Sequence, residues 1–284
     1  MQTRGRRVRV RDEEGDRDCF LAGNRVVVGD VVRFVDAPGQ GGKIVAVEPR
    51  TTALRRMDPR GKEQILAANL GGLLVVTSAR DPDFRAALVH RYFAAADRDG
   101  LDAVLVLTKV DLGVPASVEA QVALLSEELD ALRVSVRSGD GMADLAGFLS
   151  RAAADVPWAL VGSSGTGKTS LAAALLPDED VGAIGEISEY WGTGKHTTTE
   201  SRIFTLPRGG EVVDSPGIRN LTPVFGHPDD VRDHFPVVRH LRCQYRDCRH
   251  RPGEEGCDAE KHVDPGLLDS YRTLLAEVEA VDRN

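Results

Sequence analysis

A glycine-rich stretch in the second half of the chain has the spacing of a phosphate-binding loop. Residues 162–169 read G-S-S-G-T-G-K-T and match G-x-x-x-x-G-K-[ST], between a short apolar strand and the apolar start of a helix. The glycines let several backbone N–H groups point at one phosphate chain, and the helix adds the positive end of its dipole. We predict that nucleotide phosphates contact Gly162, Ser163, Ser164, Gly165, Thr166, Gly167, Lys168, Thr169 and Ser170.

Two side chains of this loop have predicted roles of their own. Lys168 can reach the β- and γ-phosphates, and the Thr169 hydroxyl can ligate Mg²⁺. A flexible Gly/Ser linker is the alternative interpretation, and the apolar residues on both sides of the loop count against it.

A second motif follows the apolar run 211–213. Residues 214–217 read D-S-P-G, which is the D-x-P-G element that senses a γ-phosphate in GTPases. There Asp214 would hold Mg²⁺ through water, and the Gly217 N–H would meet the γ-phosphate. Since the same tetrapeptide also makes an ordinary turn, it indicates a nucleotide site only together with the phosphate loop.

A third motif indicates which base is bound. Residues 108–111 read T-K-V-D, close to the guanine-reading N-K-x-D, with Thr in place of Asn. Asp111 would accept hydrogen bonds from guanine N1–H and the 2-amino group, a donor pair that adenine lacks, and Lys109 would lie across the base. The alternative is a polar strand end. The predicted base-binding residues are Thr108, Lys109, Val110 and Asp111, with Ser135 and Val136 placed to offer backbone N–H groups to guanine O6.

The order of these motifs along the chain differs from that of ordinary GTPases, because the base-reading elements precede the phosphate loop. Strand-like and helix-like segments alternate from about residue 63, which predicts an α/β layer with a mostly parallel sheet. All the motifs would lie at the carboxyl ends of its strands, so moving the chain termini keeps them together. The sequence therefore predicts a circular permutation.

Two smaller regions flank this α/β region. Residues 1–62 contain short β-branched runs separated by turn residues, which predicts a small five-stranded β-barrel of the OB type, with a generic β-barrel as the alternative. Residues 63–224 form the predicted nucleotide domain, and 225–284 a helical domain with a metal site. The predicted ligands of a structural Zn²⁺ are Cys243, Cys248, His250 and Cys257, since three Cys and one His lie within a short segment that has few apolar residues. Unrelated free thiols are the alternative.

Composition limits the possible partners and the compartment. The chain has 284 residues, 42% of them apolar, with no stretch long and apolar enough to span a membrane and no visible signal peptide, so we expect a cytoplasmic protein. The net charge of −8 speaks against nucleic acid, but arginines cluster at 4–11 and 239–251. From charge alone, solvated surfaces and nucleic-acid contacts are equally good interpretations.

Taken together, these features resemble the circularly permuted, small-ribosomal-subunit-dependent GTPases of the RsgA/YjeQ family. The resemblance rests on the β-barrel, the permuted motifs, the Cys/His segment, G-K-H-T-T-T at 194–199, and the Val28–Asp30 and Pro49–Arg50 stretches. It implies a GTPase that yields GDP and phosphate, is stimulated by the small ribosomal subunit, acts late in subunit maturation and binds rRNA through its arginine clusters. It also implies Mg²⁺ with GTP, one structural Zn²⁺ and a monomer.

The residue that positions the attacking water is a separate hypothesis. Ras-type enzymes use a Gln near the D-x-x-G element, whereas this chain has Ile218 after Gly217. We therefore expect the water to be positioned from the 190–199 segment by His196, with Thr198 or Thr199 as an Mg²⁺ ligand and Lys168 on the phosphates. His196 could equally be structural or contact the ribosome. An ATP-using P-loop enzyme and a non-hydrolysing nucleotide-binding module remain the alternatives.

Overall fold

The computed structural model describes residues 2–4, 7–21, 25–37, 41–57, 62–126, 129–152, 156–176, 201–215, 218 and 225–282. Within them the chain forms a β unit, a central α/β layer and a helical unit, in that order along the sequence. This is the multidomain fold class that the sequence predicts.

The β unit is built on a five-stranded sheet. Its strands are β1 (Gln2–Arg4), β2 (Arg7–Asp12), β3 (Gly15–Leu21), β4 (Val32–Ala37) and β5 (Gly41–Val47). They lie in the order β1-β2-β3-β5-β4, antiparallel except for the parallel β3–β5 pair. Alternation along the strands sends one set of side chains inward, where Val8, Val10, Cys19 and Ile44 form the core. The five strands and the parallel crossover from β3 to β5 agree with the predicted OB-type barrel.

A hairpin joins this sheet to the rest of the protein. It consists of β6 (Ala53–Met57) and β7 (Glu63–Ala68), which pair in antiparallel fashion. Leu54 and Ala67 of the hairpin are completely buried in the core of the central layer. The hairpin therefore crosses position 62, where the sequence analysis puts the first domain boundary. The division into 1–62, 63–224 and 225–284 stays a prediction.

An ion pair fixes the loop before β4. Arg50 donates from Nε and Nη2 to the two Asp30 carboxylate oxygens, at 2.6 and 2.8 Å, and the Val27 N–H donates to the same carboxylate at 2.8 Å. The Asp30 side chain is completely buried, whereas Arg50 keeps 24% of its side-chain exposure. The hydrogen bonds that Arg50 donates to Asp30 raise the pKa of Arg50. The two stretches that carried part of the family resemblance thus contact each other directly.

Replacing Arg50 by alanine should destabilise this loop, because the Asp30 carboxylate would stay buried without its guanidinium partner. We expect the local opening free energy to fall by about 3 kcal/mol, the low end for a broken buried pair, because Arg50 is partly solvated. Hydrogen exchange of peptides covering 25–50 measures it. The matched control is Arg33→Ala, which removes the exposed Arg33–Glu48 pair and should cost less than about 1 kcal/mol. Equal losses in the two variants would contradict the assignment.

The central layer is a six-stranded sheet with helices on both faces. Its strands are β8 (Gly72–Ser78), β9 (Asp102–Thr108), β10 (Ala131–Arg133), β11 (Trp158–Val161), β12 (Arg202–Thr205) and β13 (Glu211–Asp214), and its helices are α1 (Ala86–Arg98), α2 (Ala116–Ser126), α3 (Met142–Arg151) and α4 (Lys168–Leu175). The strand order is β10-β9-β8-β11-β13-β12, and every pair is parallel except β12–β13.

Burial explains why these apolar runs form central strands. Every residue of β8 and β11 is buried, as expected for strands covered on both faces. The core on one face includes residues of α1 and α2, and the core on the other face includes residues of α3 and α4. The five parallel strands therefore end at one common edge of the sheet.

The C-terminal unit contains α5 (Pro228–His234), α6 (Ala259–His262) and α7 (Pro265–Asp282). Its core, which includes Phe235 and Tyr271, also contains Ala94 and Ala95 of α1. On the same helix His90 is buried and stacks on Phe235 with ring centroids 5.2 Å apart, and burial lowers the pKa of His90 to about 4. Helix α1 is thus shared between the central layer and the C-terminal unit.

Several element bounds differ from the sequence prediction. Residue preferences predict a helix over 115–132, which the structure describes as α2 over Ala116–Ser126, and a strand at 133–136, whereas β10 spans Ala131–Arg133. The strand predicted at 25–28 forms a single bridge between Val28 and Ala67. Contacts with distant parts of the chain decide these bounds, so local residue preferences alone do not predict them. Of the helices in the described part of the chain, none combines the length and apolarity that crossing a membrane needs.

Candidate functional site

The predicted motifs meet at the carboxyl edge of the sheet. The phosphate loop follows β11, whose neighbours on either side are β8 and β13. The base-reading motif begins at Thr108, the last residue of β9, and β9 pairs with β8. Asp214 is the last residue of β13. A permuted chain order therefore still brings these strand ends to one edge.

The backbone of the phosphate loop requires glycine where it turns away from the sheet. Gly162 has φ of +138°, and a Cβ there would lie 2.1 Å from the Val76 carbonyl oxygen. Gly167, with φ of +91°, precedes the first residue of α4. Lys168 opens the helix, and its Nζ donates to the carbonyl oxygens of Gly162, at 2.7 Å, and Ser163. The loop curls tightly around the Lys168 ammonium group, with its N–H groups at a helix N-terminus.

Tyr92 contacts the first residue of this loop. The side chain is 3% exposed, lies on α1 and forms a hydrogen bond with the backbone of Gly162. Burial raises the pKa of Tyr92 to about 12. The sequence does not predict this contact, because nothing local to residue 92 indicates that it approaches the loop.

Thr108 connects the base-reading motif to the phosphate loop. Its hydroxyl lies 2.6 Å from the Thr166 carbonyl oxygen and 3.0 Å from that of Thr77, and the residue is 3% exposed. The hydroxyl proton donates to one of these acceptors at a time. Threonine at this position thus joins the end of β9 to the loop through a short buried hydrogen bond.

Thr108→Val keeps the shape of the side chain and removes the hydroxyl. We expect the free energy of unfolding to fall by about 1–3 kcal/mol, because a buried carbonyl loses its donor, and guanine-nucleotide affinity to fall with it. Thermal unfolding and titration with a fluorescent GDP measure both. Thr108→Ser keeps the donor and is the control. A valine variant that matches wild type in both measurements would rule out the connection.

The base-reading side chains are positioned by a second loop. Lys109 adopts a left-handed conformation, with φ of +57°, which turns the chain after β9, and its Nζ donates to the Asp81 carbonyl oxygen. The exposed Asp111 accepts a hydrogen bond at 2.6 Å from the buried Ser135 hydroxyl. The Ser138 N–H donates to that same hydroxyl oxygen at 3.1 Å, and Val136 is exposed beside it. The Asp111 carboxylate is thereby held at the edge of the site.

The four predicted metal ligands come together in the C-terminal unit. The ligand atoms of Cys243, Cys248, His250 and Cys257 all lie within 4.8 Å of one another, and each sulfur lies 3.5 Å from His250 Nδ1. Backbone N–H groups of Asp258 and Ala259 approach the sulfurs of Cys243 and Cys257 at 3.4 and 3.5 Å. A Cys/His cluster of this geometry can bind a metal ion.

When no cation is bound, burial favours the neutral forms of three of the four ligands in this cluster. Burial raises the pKa of Cys248 to about 12 and also raises that of Cys257, while burial lowers the pKa of His250. The thiols of Cys248 and Cys257 therefore stay neutral without a metal, and a metal that binds them would displace their protons, because metal ligands must be deprotonated. The His250 carbonyl oxygen accepts from Arg272 Nε of α7 at 2.8 Å, which ties the cluster to the last helix.

Some predicted site residues lie outside the described part of the chain. These are His196, Thr198, Thr199, Gly217 and the side chain of Asp214. Ile218, which occupies the place of a water-positioning side chain, is 1% exposed and packs in the core of the central layer. Its burial agrees with the expectation that this position takes no part in chemistry.

Several of the clustered arginines are paired within the described part of the chain. Arg11 pairs with Asp16 at 3.2 Å. Arg239 pairs with Asp97 of α1, and both Arg249 and Arg251 pair with Glu279 of α7. The sequence could not show these partners, because all but Asp16 lie far away along the chain.

Comparison with known proteins agrees with this geometry. The family model described as RsgA GTPase matches residues 47–223. A protein from Pseudomonas savastanoi pv. phaseolicola named "Small ribosomal subunit biogenesis GTPase RsgA" is 39% identical over 96% of this chain and 83% of its own length. A protein of the same name from Azotobacter vinelandii is 37% identical, with the same shares covered.

Two solved structures share the fold. The crystal structure of YjeQ from Thermotoga maritima has a TM-score of 0.75 at 24% identity and covers 96% of this chain and 95% of its own. The crystal structure of YloQ, described as a circularly permuted GTPase, has a TM-score of 0.72 at 20% identity, with 99% and 93% covered. The permuted sheet with the phosphate loop at its centre, the family match over most of the chain and the relatives at this identity lead to one conclusion: the chain belongs to the RsgA GTPase family, whose members are GTP-hydrolysing enzymes of ribosome assembly.

Proposed function

We propose that this protein hydrolyses GTP to GDP and phosphate at the carboxyl edge of its central sheet, and that the small ribosomal subunit stimulates the reaction. The observation that carries the proposal is the 2.6 Å contact between the Thr108 hydroxyl and the Thr166 carbonyl oxygen, because it joins a base-reading motif to a phosphate loop. The names of the relatives support the ribosomal part.

In this proposal the nucleotide lies across the sheet edge. Asp111 accepts from guanine N1–H and the 2-amino group, Lys109 covers the base, and the loop after β10 offers N–H groups to guanine O6. The phosphates lie in the 162–170 loop with Lys168 on the β- and γ-phosphates. The Ser135 hydrogen bond to Asp111 supports the base end of the site.

The proposed Mg²⁺ ligands are the Thr169 hydroxyl, Asp214 through water, and Thr198 or Thr199. Thr169 suits this role, because it is exposed in the first turn of α4 next to Lys168. A Mg²⁺ held by these residues would neutralise negative charge on the phosphates. Lys168 and the loop N–H groups stabilise the transferred phosphoryl group, and the Gly217 N–H meets the γ-phosphate.

We assign the positioning of the attacking water to His196. His196→Ala should lower the single-turnover rate of GTP hydrolysis on small subunits by roughly 100-fold, the lower end for a group positioned for proton transfer. His240→Ala, an exposed histidine of the C-terminal unit, serves as the control. An unchanged rate in the His196 variant would remove the role.

We further propose that the Cys/His cluster holds one structural Zn²⁺, through Cys243, Cys248, His250 and Cys257. The donor set of three thiols and one imidazole matches closed tetrahedral zinc sites. Because few apolar residues stabilise this segment, the metal would supply much of its folding free energy.

The proposed partners are the small ribosomal subunit and its rRNA late in subunit maturation, with the protein acting as a monomer in the cytoplasm, where that particle is assembled. Charge supports contacts to rRNA phosphates only where arginines lack acidic partners. Such contacts should weaken steeply with salt, because neutralising phosphates releases counterions.

Measuring phosphate release from GTP with and without small ribosomal subunits tests the proposal. We expect slow release alone and a large stimulation by subunits, since no Gln follows the D-x-P-G element. Release that stays absent with subunits would favour a non-hydrolysing binding module. Competition by ATP equal to that by GTP would favour an ATP-using P-loop enzyme.

A further inference from the structure

A cleft beside the Cys/His cluster has the chemistry of a site for single-stranded RNA. It has a volume of about 430 Å³, within the range of roughly 300–1,000 Å³ typical of small-ligand sites. Four arginines line it, at positions 232, 239, 242 and 246, against one carboxylate, Asp233. Three thiolates with a divalent cation would add one negative charge, so the cleft stays positive.

Two of these arginines differ from the other two. Arg232 pairs with Asp233 at 2.7 Å, and Arg239 pairs with Asp97. Arg242 and Arg246 are exposed, and neither forms an ion pair within the residues that the structure describes. Their guanidinium groups are therefore available for an anionic partner.

An exposed aromatic ring lines the same cleft as these two arginines. It belongs to Tyr245, which keeps 47% of its surface exposed. Gly256 packs closely against this part of the chain. A Cβ built on Gly256 would lie 3.1 Å from Tyr245 Cε2 and 2.7 Å from Gln244 Cβ. The Tyr245 carbonyl oxygen accepts from the Cys248 N–H at 3.3 Å, and the Gln244 N–H donates to the Gly256 carbonyl oxygen at 2.9 Å. The backbone that carries the ring is thus hydrogen-bonded on both sides of Tyr245.

An exposed ring flanked by unpaired arginines matches one kind of polymer. Proteins bind single-stranded nucleic acid by stacking bases on aromatic rings while cationic side chains contact the phosphates. In duplex RNA the bases are stacked on one another, so their faces are not available to the ring. An acidic protein segment could pair with the arginines but would gain little from the tyrosine.

We propose that Tyr245 stacks on an unpaired base of RNA while Arg242 and Arg246 contact the adjoining phosphates. The C-terminal unit therefore recognises a single-stranded stretch rather than a duplex. This inference rests on the proposed function, since it names the form of RNA that the protein binds.

The test compares RNA probes on the full-length, metal-loaded protein. Fluorescence anisotropy measures binding of a short unstructured single-stranded RNA, the blunt duplex of the same sequence, and a poly-glutamate peptide, over a series of salt concentrations. We expect tight binding of the single strand and much weaker binding of the other two. Absent binding of the single strand, equal binding of the duplex, or preferred binding of the peptide would each overturn the proposal.

Variants separate stacking from charge. Tyr245→Ala should weaken single-strand binding by roughly 5- to 100-fold with an unchanged salt slope, and Tyr245→Phe should bind as wild type. Arg242→Ala and Arg246→Ala should each reduce the salt slope by about 0.7. Arg208→Ala, an exposed arginine in the turn between β12 and β13, is the control and should change nothing.

Two further measurements keep the outcomes distinct. Zinc content and thermal unfolding of each variant show that the metal cluster is intact, and an unchanged affinity in an intact Tyr245→Ala variant would overturn the stacking. Stimulation of wild-type GTP hydrolysis by small subunits is measured in parallel. If subunits stimulate hydrolysis but Tyr245→Ala binds RNA as wild type does, the proposed function holds and the stacking proposal is wrong. If subunits do not stimulate hydrolysis, the proposed function itself is wrong.

Discussion

Asp111→Asn should lower the affinity for GTP by roughly 10²–10⁴-fold and raise the affinity for xanthosine triphosphate. The carboxylate accepts two hydrogen bonds from guanine in the proposed site, and each bond to a charged group contributes about 1.5–3 kcal/mol. An asparagine amide points a donor at the guanine 2-amino group, whereas xanthine has an acceptor there. Competition against a fluorescent GDP measures both affinities.

The control for this change is Asp144→Asn, the same substitution at an exposed site in the first turn of α3. It should leave both affinities unchanged. Asp111 also accepts from the Ser135 hydroxyl, so Ser135→Ala should give a smaller loss in the same direction. Wild-type GTP affinity in the Asp111 variant would end the assignment of residues 108–111 to the base.

Cys248→Ser should remove the metal and unfold the Cys/His segment 243–257. Structural zinc sites bind with an apparent free energy of about 10–16 kcal/mol near neutral pH, and this binding energy is folding energy for a segment that adds few side chains to the apolar core of the C-terminal unit. We expect about one zinc per wild-type chain by elemental analysis and close to none in the variant. Stimulation by small subunits should be lost, while guanine nucleotide still binds at the sheet edge, since none of its proposed ligands lies in the 243–257 segment.

Cys19→Ser is the matched comparison, because Cys19 is also a buried cysteine but lies in the core of the β unit. It should keep its zinc and its response to subunits. Stripping wild type with a chelator should reproduce the Cys248 variant, and restoring zinc should reverse the effect. A Cys248 variant with full zinc content would show that the cluster is not the metal site.

The sequence predicts those parts of the site whose residues lie close together along the chain. The phosphate loop depends on glycines at fixed offsets, and the Cys/His segment on ligands close together in the chain, so both can be read from neighbouring residues. The circular permutation could be predicted for a related reason, since motifs at strand ends meet at one edge of a parallel sheet whatever their order.

Contacts between distant residues could not be predicted in this way. Ser135 follows β10 in a loop, because pairing with β9 rather than local preference decides where that strand ends. Charge counting along the sequence treated Arg239 and Arg251 as free surface cations, although Asp97 and Glu279 neutralise them in the fold. The support of Gly162 by Tyr92 has no local signal either.

Helix α1 connects the phosphate loop to the C-terminal unit. Tyr92 contacts the first glycine of the phosphate loop on one side, while Ala94, Ala95 and Asp97 contact the C-terminal unit on the other. A displacement of this helix on nucleotide exchange would be shared by both. Thermodynamic reciprocity then requires that whatever factor GTP exerts on RNA affinity, RNA exerts on GTP affinity, so the ribosome would act as an effector as well as a target.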